Sequence, residues 1–210
     1  MSSRSVAVNA LTFSRVPFIF AWLGFALAFE FHRSLPLMVA AGVMMFLSGI
    51  TDLFDGLLAR RWNVVTPLGK MADPLMDKVF YVVAFPALTW LVMHQGGGDA
   101  HSLLMLCFTI LYILRDLWVT FLRSVGSSFG ADVAAMWLGK VRTALSFPAA
   151  GWVYAYLALH GYLPEGSPVQ AWWLWSCYAV EVAMIILNVY SAYSYTMAYL
   201  PYLRLALERK

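Results

Sequence analysis

The fold class this sequence predicts is an all-α integral membrane protein with six transmembrane helices and both termini on the cytoplasmic side. Three observations carry that reading. Of the 210 residues, 62% are hydrophobic and only 12% charged, with nine tryptophans and a mean hydropathy of +0.72, well outside the soluble range. The apolar residues collect into six long runs, and roughly 20 such residues suffice for one helical crossing. The basic residues are distributed unevenly over the connecting segments, which sets an orientation.

The six runs are read in order. Residues 13–31 form the first span: the run is long for the core of a cleaved signal peptide, and no convincing small-residue cleavage site accompanies it. Residues 35–58 form the second and carry Asp52 and Asp55 near their end; residues 71–93 form the third and carry Asp73 and Asp77 near their start. Gly96, Gly97 and Gly98 lie in the following connection and read as a flexible turn. The fourth span, 102–124, holds Cys107, Arg115 and Arg123; the fifth, 141–160, follows Lys140; the sixth, 170–196, holds Cys177, Glu181, Asn188 and the tyrosine-rich run Tyr190–Tyr195. Neither cysteine has a CxxC partner, so both read as packing or lipid-facing residues. The spans occupy most of the chain, which predicts a single membrane domain over 1–210.

With the N-terminus inside, Arg4, Arg15, Arg60, Arg61, Lys70, Lys140, Arg142, Arg204, Arg209 and Lys210 fall in or beside cytoplasmic segments, and only Arg33 lies in an outer loop. Glu30, Asp99, Glu165 and the histidines His32, His94, His101 and His160 go to the outer side. The aspartates at the second and third spans therefore face the cytoplasm, where no histidine serves them.

Those aspartates carry the functional argument. They sit in the pattern Asp52-x2-Asp55-Gly56-x2-Ala59-Arg60-x8-Gly69-x3-Asp73-x3-Asp77. Asp52 and Asp55 share one helical face, as do Asp73 and Asp77, so two facing helices can bring four carboxylates to one point. Carboxylates that close repel, and a cation explains them best. All-oxygen ligation without His or Cys suits magnesium or manganese rather than zinc. Ionisable residues within spans are costly and mark function by default. Gly56 and Gly69 leave room for a ligand near the backbone, while Arg60 offers a fork of donors suited to phosphate. Acids, metal, arginine and glycines together describe a pyrophosphate site, with a spare carboxylate to take a proton from an incoming hydroxyl.

At these residues the sequence resembles the CDP-alcohol phosphatidyltransferases, whose defining motif is present at every fixed position. The resemblance implies six transmembrane helices in a homodimer of the inner membrane, with a site open to the cytoplasmic leaflet. It implies that Asp52, Asp55, Asp73 and Asp77 hold two divalent ions, Mg2+ or Mn2+, that Asp77 doubles as proton acceptor, and that Gly56, Arg60, Thr66 and Gly69 contact the CDP moiety. The segment Asn9-Ala-Leu-Thr-Phe-Ser-Arg15, with Asn9 and Thr12, resembles the family's entry segment beside the CDP-lipid. Thr51–Asn63, Gly69–Val79, Arg115–Arg123 and Gly139–Thr143 resemble the branch that makes phosphatidylglycerophosphate, with Asp116 where that branch usually has Glu.

The basic residues beyond the motif address the acceptor. Arg115 and Arg123 are eight apart, about two helical turns, and read as sharing one face of the fourth span, with Lys140 nearby at the start of the fifth. Three cations around one pocket suit an acceptor that carries its own phosphate, and in the resemblance these positions bind the phosphate of sn-glycerol 3-phosphate. Arg142 and the tail of Arg204, Arg209 and Lys210 read as snorkelling or positive-inside residues. Glu181 and Asn188 either line the substrate cavity or bond to a neighbouring helix. Tyr190 is a further acceptor-binding candidate, although tyrosines there ordinarily form an interfacial belt.

The function expected is transfer of the phosphatidyl group of CDP-diacylglycerol to sn-glycerol 3-phosphate, with membrane lipids as surroundings and no nucleic acid partner. The alternative within the family is another acceptor, phosphatidylglycerol or inositol phosphate. The alternative outside it is a divalent-cation transporter, which the absence of a second acidic ring in the outer halves disfavours.

Overall fold

The computed structural model describes residues 3–64, 67–95, 98–131 and 137–208, without the side chains of Leu53, Pro67, Lys70, Met71, Asp73, Leu138 and Lys140. The described residues are helical throughout: α1 (Ser3–His32), α2 (Leu35–Arg61), α3 (Pro67–His94), α4 (Gly98–Ser128), α5 (Trp137–Leu159), a single 3-10 turn at His160–Tyr162, and α6 (Pro168–Glu208). Each expected span lies on its own helix. The helices α1, α2, α4, α6 and Pro74–His94 of α3 are long and apolar enough to cross a membrane, and α5 supplies a sixth of 23 residues.

The helices α1 and α6 exceed the expected spans most. The segment Asn9–Arg15 lies within α1, which starts at Ser3. The 41 residues of α6 rise about 60 Å at ~1.5 Å per residue, twice the ~30 Å hydrocarbon core. Between α1 and α2 the chain reverses at Arg33, with φ 49°, and at Ser34, whose carbonyl accepts from the Leu37 and Met38 amides at 3.0 and 3.1 Å. Proline in the first turn of α2 fits because no intrahelical donor is needed there. Gly98, with φ 76°, opens α4; Gly96 and Gly97 lie outside the described residues.

The surface is inverted relative to a soluble protein. Phe20, Phe46, Leu103, Phe121, Trp172, Trp175 and Ile186 are exposed, whereas Thr12, Arg15, Asp55, Arg115, Arg142, Glu181 and Asn188 are buried. Lipid accepts the former without cost, and the latter find partners only inside.

The chain forms two compact units, Met1–Leu91 with Ala150–Tyr162, and Val92–Ala149 with Leu163–Lys210. In the first, α1 packs along α2. The buried residues of α1 include Val8, Thr12, Arg15, Ile19, Trp22, Ala26 and Phe29, a three-four spacing that forms one continuous stripe. Trp22 meets Tyr154 edge-on at 5.6 Å. In the second unit α4 packs along α6. Its stripes are Met105, Phe108, Tyr112, Arg115, Val119, Leu122 and Gly126 on α4, and Cys177, Glu181, Met184, Asn188, Ser191, Tyr195 and Tyr199 on α6. Val119, Leu122, Tyr195 and Tyr199 form an apolar core, and Gly126 lies so close to the Tyr199 ring that a Cβ there would collide with it.

Candidate active site

The first unit brings together three of the four motif aspartates. Asp52 and Asp55, on the last turns of α2, and Asp77, on α3, all reach one side chain, Arg15 of α1. Arg15 Nη2 lies 2.7 Å from Asp52 Oδ1 and 2.5 Å from Asp55 Oδ2, and Nη1 lies 3.1 Å from Asp77 Oδ1. The side chains of Arg15 and Asp55 are 4% and 3% exposed, those of Asp52 and Asp77 52% and 36%. The cluster is therefore closed on one side by the guanidinium and open on the other. Asp73 lies on α3 one turn before Asp77; its side chain is outside the described residues.

The mutual repulsion anticipated for these carboxylates is met within the chain by a cation that sequence reasoning placed on the cytoplasmic side, at the end of the segment resembling the family's entry segment. Its phase was the available clue: Arg15 is three after Thr12, four before Ile19 and seven before Trp22, in register with the buried stripe. Three carboxylates against one guanidinium still leave two negative charges. The donors are all oxygens, which is the chemistry of a hard divalent cation. Among the described residues no group of three His, Cys, Asp or Glu is close enough to hold an ion, a statement that does not include Asp73.

The residues expected at the CDP moiety lie in the same unit. Gly56 is in α2, where a Cβ would meet only Arg60 Nη2, at 3.8 Å. Glycine costs helix stability at such a position, yet among the described residues no atom crowds it. Arg60 is exposed, Gly69 half-buried in α3, and Asn9 and Thr12 buried on the α1 stripe. The Thr12 hydroxyl donates to the Val8 carbonyl at 3.2 Å. Thr66 lies outside the described residues.

The second unit assembles an arginine cluster (Arg115, Arg123 and Arg142). Arg115, on α4, is 7% exposed, donates to the Ser191 hydroxyl of α6 and lies over the Tyr195 ring at 5.0 Å. Arg123 donates to Tyr195 Oη at 3.0 Å but is exposed. Eight residues turn a helix about 80° past two full turns, so Arg115 falls on the buried stripe and Arg123 at its edge, and both guanidiniums lie over the Tyr195 ring. Lys140 is on α5, its side chain outside the described residues.

Arg142, read from sequence as a snorkelling or positive-inside residue, is 2% exposed. It donates to Asn188 Oδ1 at 3.2 Å and Asp116 Oδ1 at 3.4 Å. Asp116 Oδ1 is also 4.0 Å from Arg115 Nη1, so one carboxylate stands beside two buried guanidiniums. Gly139 leaves the space they need: a Cβ there would lie 3.0 Å from Tyr195 Oη and 3.5 Å from Arg115 Nη2. Tyr190 is 55% exposed, and the ring at Arg115 and Arg123 is that of Tyr195. Glu181 and Asn188 both bond across helices, Asn188 to Arg142 and Glu181 Oε1 to His101 Nε2 at 2.9 Å.

An acidic cluster on oxygen donors and a buried cationic cluster suit a reaction between phosphate-bearing molecules. Residues 6–183 match the family model for CDP-alcohol phosphatidyltransferase. The chain belongs to the CDP-alcohol phosphatidyltransferases. Over 116 residues, 54% of this chain and 59% of each relative, it is 33% identical to the proteins named CDP-diacylglycerol--glycerol-3-phosphate 3-phosphatidyltransferase of Escherichia coli (strain K12), Shigella flexneri serotype 5b (strain 8401) and Shigella boydii serotype 4 (strain Sb227). The match thus spans about three fifths of the length of these curated relatives. For a CDP-alcohol phosphatidyltransferase, the carboxylates of Asp52, Asp55 and Asp77 are the residues on which the first unit converges.

Proposed function

We propose that the protein transfers the phosphatidyl group of CDP-diacylglycerol to the primary hydroxyl of sn-glycerol 3-phosphate, giving phosphatidylglycerophosphate and CMP. The observation that carries this is the gathering of Asp52, Asp55 and Asp77 around the Arg15 guanidinium within a complete family motif. The named activity of relatives at 33% identity and a buried cationic cluster fit for a phosphate support the acceptor. Asp52, Asp55, Asp73 and Asp77 would hold two magnesium or manganese ions, which supply charge neutralisation at the pyrophosphate when bound.

The remaining chemistry belongs to the chain. Arg60 binds a phosphate oxygen of the CDP-lipid through its fork of donors, and Gly56 admits the nucleotide close to α2. Arg115, Arg123, Lys140 and Arg142 bind the acceptor's phosphate. Asp77, half-exposed at the open side of the cluster, takes the hydroxyl proton as the new P–O bond forms; the P–O bond to CMP breaks and its electron pair leaves on the CMP phosphate. Basic residues flanking the acidic end of α2 and α3 support a cytoplasmic position for this chemistry in an inner membrane.

The test is an acceptor screen with purified protein and CDP-diacylglycerol, reading CMP release with and without magnesium. CMP release that requires both the metal and glycerol 3-phosphate is expected. Preference for phosphatidylglycerol or inositol phosphate overturns the acceptor, and no CMP release with any acceptor overturns the activity.

A further inference from the structure

The side chain at the centre of the acidic cluster belongs to neither of the acid-bearing helices. Arg15 comes from α1 and holds, with two terminal nitrogens, carboxylates from α2 and α3. It is buried, with Asp55, on the closed side, while Asp52 and Asp77 keep an open side. Its contacts use Asp52 Oδ1, Asp55 Oδ2 and Asp77 Oδ1, oxygens of the kind that a hard divalent ion requires. Positive charge at that point also lowers the local negative potential that attracts a second cation.

We infer that Arg15 is a resident countercation of the acidic cluster: it holds the carboxylates together in the absence of metal and competes with the divalent ion for them. Arg15 is thus a positioning residue, acting through Asp52, Asp55 and Asp77, and it weakens their affinity for free metal. The ion then binds well only when a pyrophosphate contributes further oxygens. This inference rests on the proposal that the aspartates hold a metal.

Substrate-free protein in detergent provides the test, with Mn2+ titrated and the free ion read by electron paramagnetic resonance. Arg15→Gln is expected to bind Mn2+ about ten-fold more tightly than wild type, and Arg15→Lys, a point charge that cannot fork, about three-fold more tightly. In chelator, Arg15→Gln is expected to melt below wild type, with Mn2+ restoring the difference. Arg4→Gln, an exposed residue of α1 with the same change in charge, is expected to leave Mn2+ affinity unchanged. Equal or weaker Mn2+ binding in Arg15→Gln overturns the inference. If Arg15→Gln does not yield folded protein, equal or weaker binding by Arg15→Lys overturns it equally. No Mn2+ binding by wild type or either variant overturns the metal reading itself, and the inference with it.

Discussion

The guanidinium of Arg142 lies over the ring of Tyr112, 4.1 Å from its centroid. Its two terminal nitrogens donate to Asn188 and Asp116. A planar fork on an aromatic face is a geometry that an ammonium does not reproduce.

Arg142→Lys is therefore expected to behave as a loss and not as a conservative change. It should lower kcat/KM for glycerol 3-phosphate by about ten-fold or more, because a charge-assisted pairing with phosphate is weakened. KM for CDP-diacylglycerol should stay within about two-fold in the same titrations. Steady-state CMP release with each substrate varied in turn checks the split.

Asp52→Asn, Asp55→Asn and Asp73→Asn should each abolish turnover by removing ligand charge from the metal site. Asp55→Asn should differ from Asp52→Asn in stability, since Asp55 is 3% exposed and 2.5 Å from Arg15, whereas Asp52 is half-exposed. Weakening the buried partner of a buried charge costs about 1–3 kcal/mol. Thermal unfolding of the two variants in the same detergent and chelator should rank Asp55→Asn lower.

Asp77→Asn should retain CDP-diacylglycerol binding while kcat falls at least about 10²-fold, the usual size of a general-base loss. Direct binding of a CDP-lipid analogue beside single-turnover rates separates the two roles. Loss of binding with an intact chemical step would make Asp77 a ligand only.

Gly139→Ala puts a methyl 3.0 Å from Tyr195 Oη and 3.5 Å from Arg115 Nη2. One of them must shift, so KM for the acceptor should rise by several-fold, about what a small overpacking strain of 1 kcal/mol implies. Tyr195→Phe removes the obstructing oxygen. Gly139→Ala with Tyr195→Phe should then match Tyr195→Phe alone, a coupling that a double-mutant cycle measures directly.

Removing one member of the His101 and Glu181 pair, both essentially inaccessible, leaves a buried polar group behind. Glu181→Ala should destabilise by about 1–3 kcal/mol, while Glu181→Gln, which keeps an oxygen acceptor, should cost less. Unfolding in graded denaturing detergent reads the order, and kcat/KM of the surviving folded fraction should be unchanged.

The sequence made the six helices and the four aspartates legible, for reasons that lie in the residues. Apolar runs report helices directly because lipid leaves the backbone no other partner, and Asp-x2-Asp and Asp-x3-Asp report a face because the spacing matches the helical turn. What stayed hidden was pairing between helices. That Arg15 would meet Asp55 forty positions away depends on how α1 packs along α2, and positive-inside statistics offered a sufficient account of the residue without it. Arg142 was concealed in the same way, although its spacing to Ser146, Ala149 and Val153, all buried, matched a stripe. Arg123 and Tyr190 each stand one position off the buried stripe of their helix, next to Leu122 and Ser191. Gly139 carries no signal of its own, because the atoms it makes room for come from α4 and α6.

Arg115, Arg123 and Arg142 of the second unit each donate to one helix. Asn188 receives Arg142, Ser191 receives Arg115 and Tyr195 receives Arg123, all along one stripe of α6. Their register is therefore a property of that helix's winding and not of three separate contacts. One residue inserted before Asn188 rotates everything beyond it by about 100°, unhooking all three arginines at once without changing any of their identities. Lengthening the insertion one residue at a time would thus show loss and then recovery of the facing near three to four residues, the cadence of a key turned in a lock.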